Sequence, residues 1–168
     1  NGNFETDYVY EASGKYPAIK GLDFISHDYD EDADKTFLDD YQEVVDQGIE
    51  WWNKGGIVTI CWHWGTPPDG FGYESSKGEI DMTEALKEGT DLNKALIKRM
   101  DEVAEYLVKL RDAGVPVLWR PFHEFDGGWF WWGKGTPEQF IELWKLMYDR
   151  YTEHWELNNL IWVLGHAT

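Results

Sequence analysis

Between Trp119 and Gly133 the sequence reads Trp-Arg-Pro-Phe-His-Glu-Phe-Asp-Gly-Gly-Trp-Phe-Trp-Trp-Gly, which places Arg120, His123, Glu124 and Asp126 within seven residues. The segment opens as an apolar strand and ends in a glycine-aromatic loop, so these polar groups fall at a strand's C-terminal end. Packing would call for apolar residues there; this composition suits a site. Pro121 has no N–H to give and marks the end of the ladder. A carboxyl such as Glu124, beside a histidine and walled by tryptophans, can work as a general acid, because desolvation favours the protonated form. The spacing of four equally allows a structural ion pair between Arg120 and Glu124 on one strand face. Composition leaves both readings open.

The elements that would position this segment follow from periodicity. Four apolar stretches, Ala18–Phe24, Ile57–Trp62, Val115–Arg120 and Leu160–Val163, have the near-continuous character of parallel strands buried on both faces. Amphipathic helices separate them. The first is predicted from Lys35 to Trp52, with Phe37, Tyr41, Val44, Val45, Ile49 and Trp52 on one face. The second is predicted from Leu92 to Ala113, capped by Asp91 and stopped by Gly114 and Pro116. The third opens at Thr136-Pro137-Glu138-Gln139, which combines a capping threonine, a first-turn proline and a capping-box glutamine. Strict alternation of strand and helix predicts an α/β fold of about four βα units on a parallel sheet. A polar, turn-rich insertion from Trp64 to Thr90 follows the second strand, at the end where parallel α/β proteins hold their sites. Residues 1–168 read as one unit, without repeats or linkers.

Composition narrows the ligand class. The 168 residues carry 15 Lys+Arg against 32 Asp+Glu, a formal charge of −17, which argues against a nucleic-acid partner. No apolar run approaches a membrane span and no leader pattern opens the sequence. Cys61, alone, allows no internal disulfide. Eleven tryptophans point to stacking surfaces or an aromatic core. Trp51, Trp52, Trp144 and Trp155 lie on helix faces and are expected in the core. Trp62, Trp64, Trp129, Trp131 and Trp132 lie at strand ends and in the following loops, where stacking on sugar rings is expected at least as readily as packing. The five histidines have no i+4 partner and no cysteine companion, so no metal or other cofactor is expected. The acidic run Asp28–Asp34 lacks the glycine and final glutamate of a calcium loop and reads as a solvated loop.

The run Arg-Pro-Phe-His-Glu followed by Gly-Gly-Trp-Phe-Trp-Trp-Gly resembles the acid/base strand of glycoside hydrolase family 26, the group that contains endo-β-1,4-mannanases. Gly14–Phe24, Gly56–Trp64 and Leu157–Val163 resemble that family's second, third and fifth barrel strands. The resemblance implies a partial (β/α)8 TIM barrel, since the complete fold takes about 250 residues. It implies a retaining mechanism with two glutamates, of which Glu124 matches the acid/base. Arg120 and His123 match neighbours that orient the carboxylates and the sugar; Trp129 matches an aromatic bordering the scissile sugar, and His63 a histidine lining the cleft. Asp126 joins them as a substrate-binding candidate. The nucleophile, a glutamate of the seventh strand, is expected outside this chain; Asp23 and Asp126 are weak substitutes for it. The implied substrate is β-mannan or a related β-linked glucan, and the implied source a secreted bacterial enzyme. The alternative function is a half-barrel that binds such a polysaccharide without cleaving it. Four parallel strands with an open face also predict association, as a homodimer or by exchange of elements.

Overall fold

A computed structural model describes residues 4–25 and 37–167. The acidic run Asp28–Asp34, the predicted helix start at Lys35 and the side chain of Phe37 lie outside the described residues. The elements run α1 (Phe4–Ser13), β1 (Ile19–Asp23), α2 (Phe37–Asn53), β2 (Ile57–Cys61), α3 (Gly72–Ser75), α4 (Met82–Leu86), α5 (Asp91–Asp112), β3 (Val117–Arg120), a 3-10 turn (Trp131–Gly133), α6 (Pro137–Asp149), a π turn (Arg150–His154) and β4 (Leu160–Trp162). All four strands are parallel and stand side by side in chain order. The predicted βα units and the α/β partial-barrel class are therefore those of the molecule.

Local chemistry explains the helix boundaries. Thr136 and Gln139 cap α6 reciprocally: the Thr136 hydroxyl accepts from the Gln139 N–H at 3.2 Å, and the Gln139 amide oxygen accepts from the Thr136 N–H at 2.9 Å. The cap of α5 is Thr90 rather than Asp91, its hydroxyl accepting from the Asn93 N–H at 3.1 Å, while Asp91 adds negative charge to the first turn. Gly114, at φ +70, ends that helix in the left-handed region. Two short helices interrupt the insertion expected as loop. In α4 the Asp81 carboxylate accepts from the N–H groups of Thr83 and Glu84, and Met82 and Ala85 enter the core.

Among the described residues one face of the sheet is covered and the other is open, so these strands show the open face expected of half a barrel rather than burial on both faces. Lys20, Leu22, Val58, Ile60, Val117 and Trp119 turn toward the helices and are buried. They meet the α5 stripe of Leu96, Met100, Val103, Leu107 and Leu110, together with Leu143 and Met147 of α6. At Gly48, α2 comes close enough to the sheet that a Cβ would touch Leu110, Leu22 and Val58. The opposite side chains form three rows across the strands: Ile19 with Ile57; Gly21 with Thr59, Leu118 and Ile161; and Asp23 with Cys61 and Arg120. No described helix covers these rows, so Ile19, Ile57 and Ile161 stay 49%, 45% and 55% exposed. Layered rows of this kind line the inside of a closed parallel barrel.

Candidate active site

The topmost open-face row, Asp23, Cys61 and Arg120, lies at the C-terminal ends of β1, β2 and β3. Two residues beyond Cys61, the His63 backbone N–H donates to Asp23 Oδ1 at 3.0 Å, and His63 Nδ1 pairs with Asp23 Oδ2. On its other side, His63 Nε2 lies 3.1 Å from His123 Nε2. Burial alone would raise the Asp23 carboxyl, but the hydrogen bonds it accepts from His63 hold it below the usual range. His123 is buried, and desolvation with the neighbouring His63 brings its pKa down to about 4. The Phe130 ring borders both imidazoles, at 5.5 Å from His63 and 5.3 Å from His123, and Tyr73 approaches His63 at 5.4 Å.

Glu124 follows directly, and its backbone is in the left-handed region at φ 54. A non-glycine residue there costs about 1–2 kcal/mol, a strain that proteins keep mainly at functional positions. Several hydrogen bonds hold it. The Glu124 N–H donates to Gly165 O at 2.8 Å, the Gly127 N–H donates to Glu124 O at 3.0 Å, and the buried Trp132 indole donates to His123 O at 2.9 Å. The half-buried carboxylate accepts from Trp129 Nε1 at 3.0 Å. Trp129 folds back over Gly127 so tightly that a Cβ on Gly127 would overlap the indole ring. Arg120 and Glu124 form no ion pair among the described residues, and the Arg120 guanidinium has no hydrogen-bond partner there, so the structural ion-pair reading is not what the fold builds.

Four of the five loop tryptophans are not sugar platforms, which corrects the sequence reading. Trp62, Trp64, Trp131 and Trp132 are each at most 1% exposed. Trp62 stacks on Trp64 at 4.1 Å, Trp131 meets Trp64 edge-on, and the Trp131 indole donates to Trp64 O at 2.9 Å. The physical reason is that the insertion folds over the strand end and offers these rings a core in place of solvent. Trp129 alone of the five presents itself, at 44% exposure. Of the helix-face tryptophans, Trp51 is buried and Trp144 and Trp155 pack against the core, whereas Trp52 is partly exposed.

Asp126 is engaged elsewhere: its carboxylate accepts from the Ala167 N–H at 2.8 Å and pairs with His166 Nδ1 at 3.2 Å. Those bonds, the Ala167 N–H first, hold its pKa below the usual range. The fold also gives a histidine the cysteine companion that sequence spacing hid. Donor atoms of Asp23, Cys61 and His63 come within 4.8 Å of one another. Asp23 and His63 already spend theirs on each other, and burial pushes the Cys61 thiol up to about 12, so the group reads as a hydrogen-bonded cluster. A cavity of about 460 Å³ between Phe125, Trp132, Phe140 and Leu164 touches none of His63, Arg120, His123 or Glu124. The convergent polar groups lie instead on the open end of the sheet.

The structure thus gathers Arg120, His123, Glu124, His63 and Trp129 at the strand ends. Sequence reasoning missed two contributors. Asp23 entered only as a weak nucleophile, although its place at the end of β1 signals a site residue; Tyr73, 44% exposed beside His63, lay unnoticed in the insertion.

Comparison with known proteins finds relatives along nearly the whole chain. Residues 2–167 match the sequence profile of Glycosyl hydrolase family 26. The chain is 38% identical over 167 residues to a mannan endo-1,4-beta-mannosidase of Thermothelomyces thermophilus, covering 94% of this chain and 34% of that protein. It is 33% identical to a mannan endo-1,4-beta-mannosidase of Bacillus subtilis, covering 95% of this chain and 46% of that protein. Among solved structures, GH26A from a Muricauda species superposes with a TM-score of 0.89 at 39% identity, over 99% of this chain and 54% of that one. A β-mannanase from a symbiotic protist of the termite Reticulitermes speratus, solved with a gluco-manno-oligosaccharide, gives 0.83 at 38% identity, over 96% and 51%. The chain spans between a third and a half of these curated relatives and about half of these solved structures.

Proposed function

The chain belongs to glycosyl hydrolase family 26, and from that premise we propose that it forms the acid/base half of an endo-β-1,4-mannanase that cleaves its substrate with retention. The observation that carries this reading is the Glu124 carboxylate, presented at a strand's C-terminal end on a strained backbone and held by the Trp129 indole at 3.0 Å. In the first step Glu124 gives its proton to the glycosidic oxygen as the sugar–oxygen bond breaks and a second carboxylate bonds to the anomeric carbon, forming the glycosyl-enzyme. In the second it takes a proton from the water that attacks the glycosyl-enzyme. The second carboxylate, about 5–5.5 Å from the first, comes from sequence beyond these 168 residues, in the part of the relatives that the chain does not cover. Asp23 and Asp126 are poor candidates for that role, since His63 holds one and Ala167 and His166 hold the other.

The remaining site residues take roles from their positions. Trp129 supplies the ring face that borders the scissile sugar, with Tyr73 as a second exposed aromatic. His63 lines the cleft between them. Arg120, uncommitted among the described residues, orients the substrate or the nucleophile. The substrate is a β-mannan-type polysaccharide, the class that the relatives' names specify, and the enzyme acts outside the cell. The open rows of the sheet, from Ile19 to Ile161, become the barrel interior once the other half of the fold covers them.

The test is hydrolysis of manno-oligosaccharide by the complete enzyme, followed by proton NMR. A β-configured first product supports the reading and an α-configured one contradicts retention. Glu124→Ala is expected to lower kcat by about 10²–10⁴-fold. Binding of the oligosaccharide by that complete protein without any product would instead establish the non-catalytic polysaccharide-binding function.

A further inference from the structure

We propose that Asp23 is a positioning residue which, acting through His63, dictates on which nitrogen His123 carries its proton and so fixes the neutral imidazole next to Glu124. The inference deepens the hydrolase reading and rests on it for its catalytic consequence.

The argument is one of donors and acceptors. The Asp23 carboxylate only accepts, and it faces both the backbone N–H and Nδ1 of His63. His63 therefore holds a proton on Nδ1. In its neutral form its Nε2 is left as a bare acceptor, and the atom 3.1 Å away, His123 Nε2, must be the donor. His123 then has its lone pair on Nδ1. That atom is buried and has no hydrogen-bond partner among the described residues. A buried donor and a buried acceptor without partners carry similar costs, about 1–3 kcal/mol, so the tautomer is decided at Nε2, where His63 faces it. Every proton in the chain Asp23–His63–His123 thus has one favoured place. The reverse arrangement would set the bare Nε2 atoms of His63 and His123 lone pair to lone pair at 3.1 Å and put a proton on His123 Nδ1, where no described residue receives it.

The consequence reaches Glu124 through space, since the two side chains are close enough to interact electrostatically. The His123 carbonyl is clamped by the Trp132 indole at 2.9 Å and the Glu124 N–H by Gly165 O at 2.8 Å. The peptide link is thus held on both sides, and the His123 ring is held by its contact with His63 and by the Phe130 and Trp132 rings packed against it.

Asp23→Asn is the informative change because it alters hydrogen bonding and hardly alters shape. The backbone N–H of His63 can only donate, so the oxygen of the introduced amide must face it. The amide NH2 then faces His63 Nδ1 and drives that proton to Nε2. His63 becomes the donor to His123 Nε2, and the His123 proton moves to the partnerless Nδ1.

Nitrogen-15 NMR of histidine-labelled complete enzyme reads these states directly. In the wild type at neutral pH, His63 is expected protonated on Nδ1 and His123 on Nε2; in D23N both are exchanged, and kcat falls about tenfold or more while KM stays within about twofold. A wild-type His123 protonated on Nδ1, or on both nitrogens, overturns the proposal without recourse to any variant. So does a folded D23N enzyme with unchanged tautomers or unchanged kcat. Failure of the hydrolase reading looks different: the wild type then shows no turnover while its imidazole signals remain as described.

Discussion

The Trp129 indole N–H donates to Glu124 Oε2 at 3.0 Å, although the two side chains start five residues apart on a loop with glycine at 127 and 128. One residue thereby orients the candidate acid with its edge while remaining 44% exposed beside it. The two contributions are separable. Trp129→Phe keeps an aromatic face and loses the donor, so kcat is expected to fall about tenfold, the scale of one hydrogen bond to a charged group, with KM little changed. Trp129→Ala loses both and is expected to raise KM as well. Steady-state kinetics on manno-oligosaccharides check this; equal effects of the two variants on KM would contradict the division.

The buried Trp132 has a structural part. Its indole satisfies the His123 carbonyl at 2.9 Å, so Trp132→Phe leaves a buried acceptor without a partner and a small void. The expected loss is about 1–3 kcal/mol of stability, measured by urea denaturation. A loss within about 0.5 kcal/mol would mean that the clamp is dispensable.

His123 gives the folded protein a pH dependence whose sign can be worked out. Its ordinary value is 6.5 and burial brings it to about 4, so between these values the unfolded chain binds the proton and the folded chain does not. Stability therefore falls as pH drops from 6.5 toward 4. His123→Gln, which does not titrate, is expected to flatten that part of the Tm–pH curve. An identical slope in the variant would place the titration elsewhere.

The open rows of the sheet make a prediction for these residues in isolation. With Ile19, Ile57 and Ile161 about half exposed on an uncovered face, the chain of residues 1–168 alone is expected to associate at micromolar concentration. Light scattering decides; a strictly monomeric mass would show that the face is stable in water.

Much of the fold was legible because each element carries a local signal. Thr136, Pro137 and Gln139 define the start of α6 by chemistry that needs no neighbour, and the α5 stripe lies on one face at helical spacing. The acid loop was legible for the opposite reason: its polar residues fit no packing pattern. What stayed hidden depends on contacts distant in sequence. Asp23 meets His63 across forty residues and Trp131 meets Trp64 across sixty-seven, so neither the histidine pair nor the burial of the loop tryptophans could be read from spacing. A tryptophan at a strand end looks the same in sequence whether solvent or an insertion lies above it. The sheet's open face was legible from the count of strands, four where the resembled barrel has eight.

The central claim is that Glu124 supplies the proton to the departing oxygen, and leaving-group dependence tests it most directly. In the complete enzyme, Glu124→Ala is expected to lose about 10²–10⁴-fold on mannan, whose alkoxide leaves poorly without protonation. On a dinitrophenyl β-mannoside, whose leaving group needs no proton, the first step is expected to keep most of its wild-type rate. A variant equally impaired on both substrates, or unimpaired on mannan, would contradict the assignment of Glu124 as the acid.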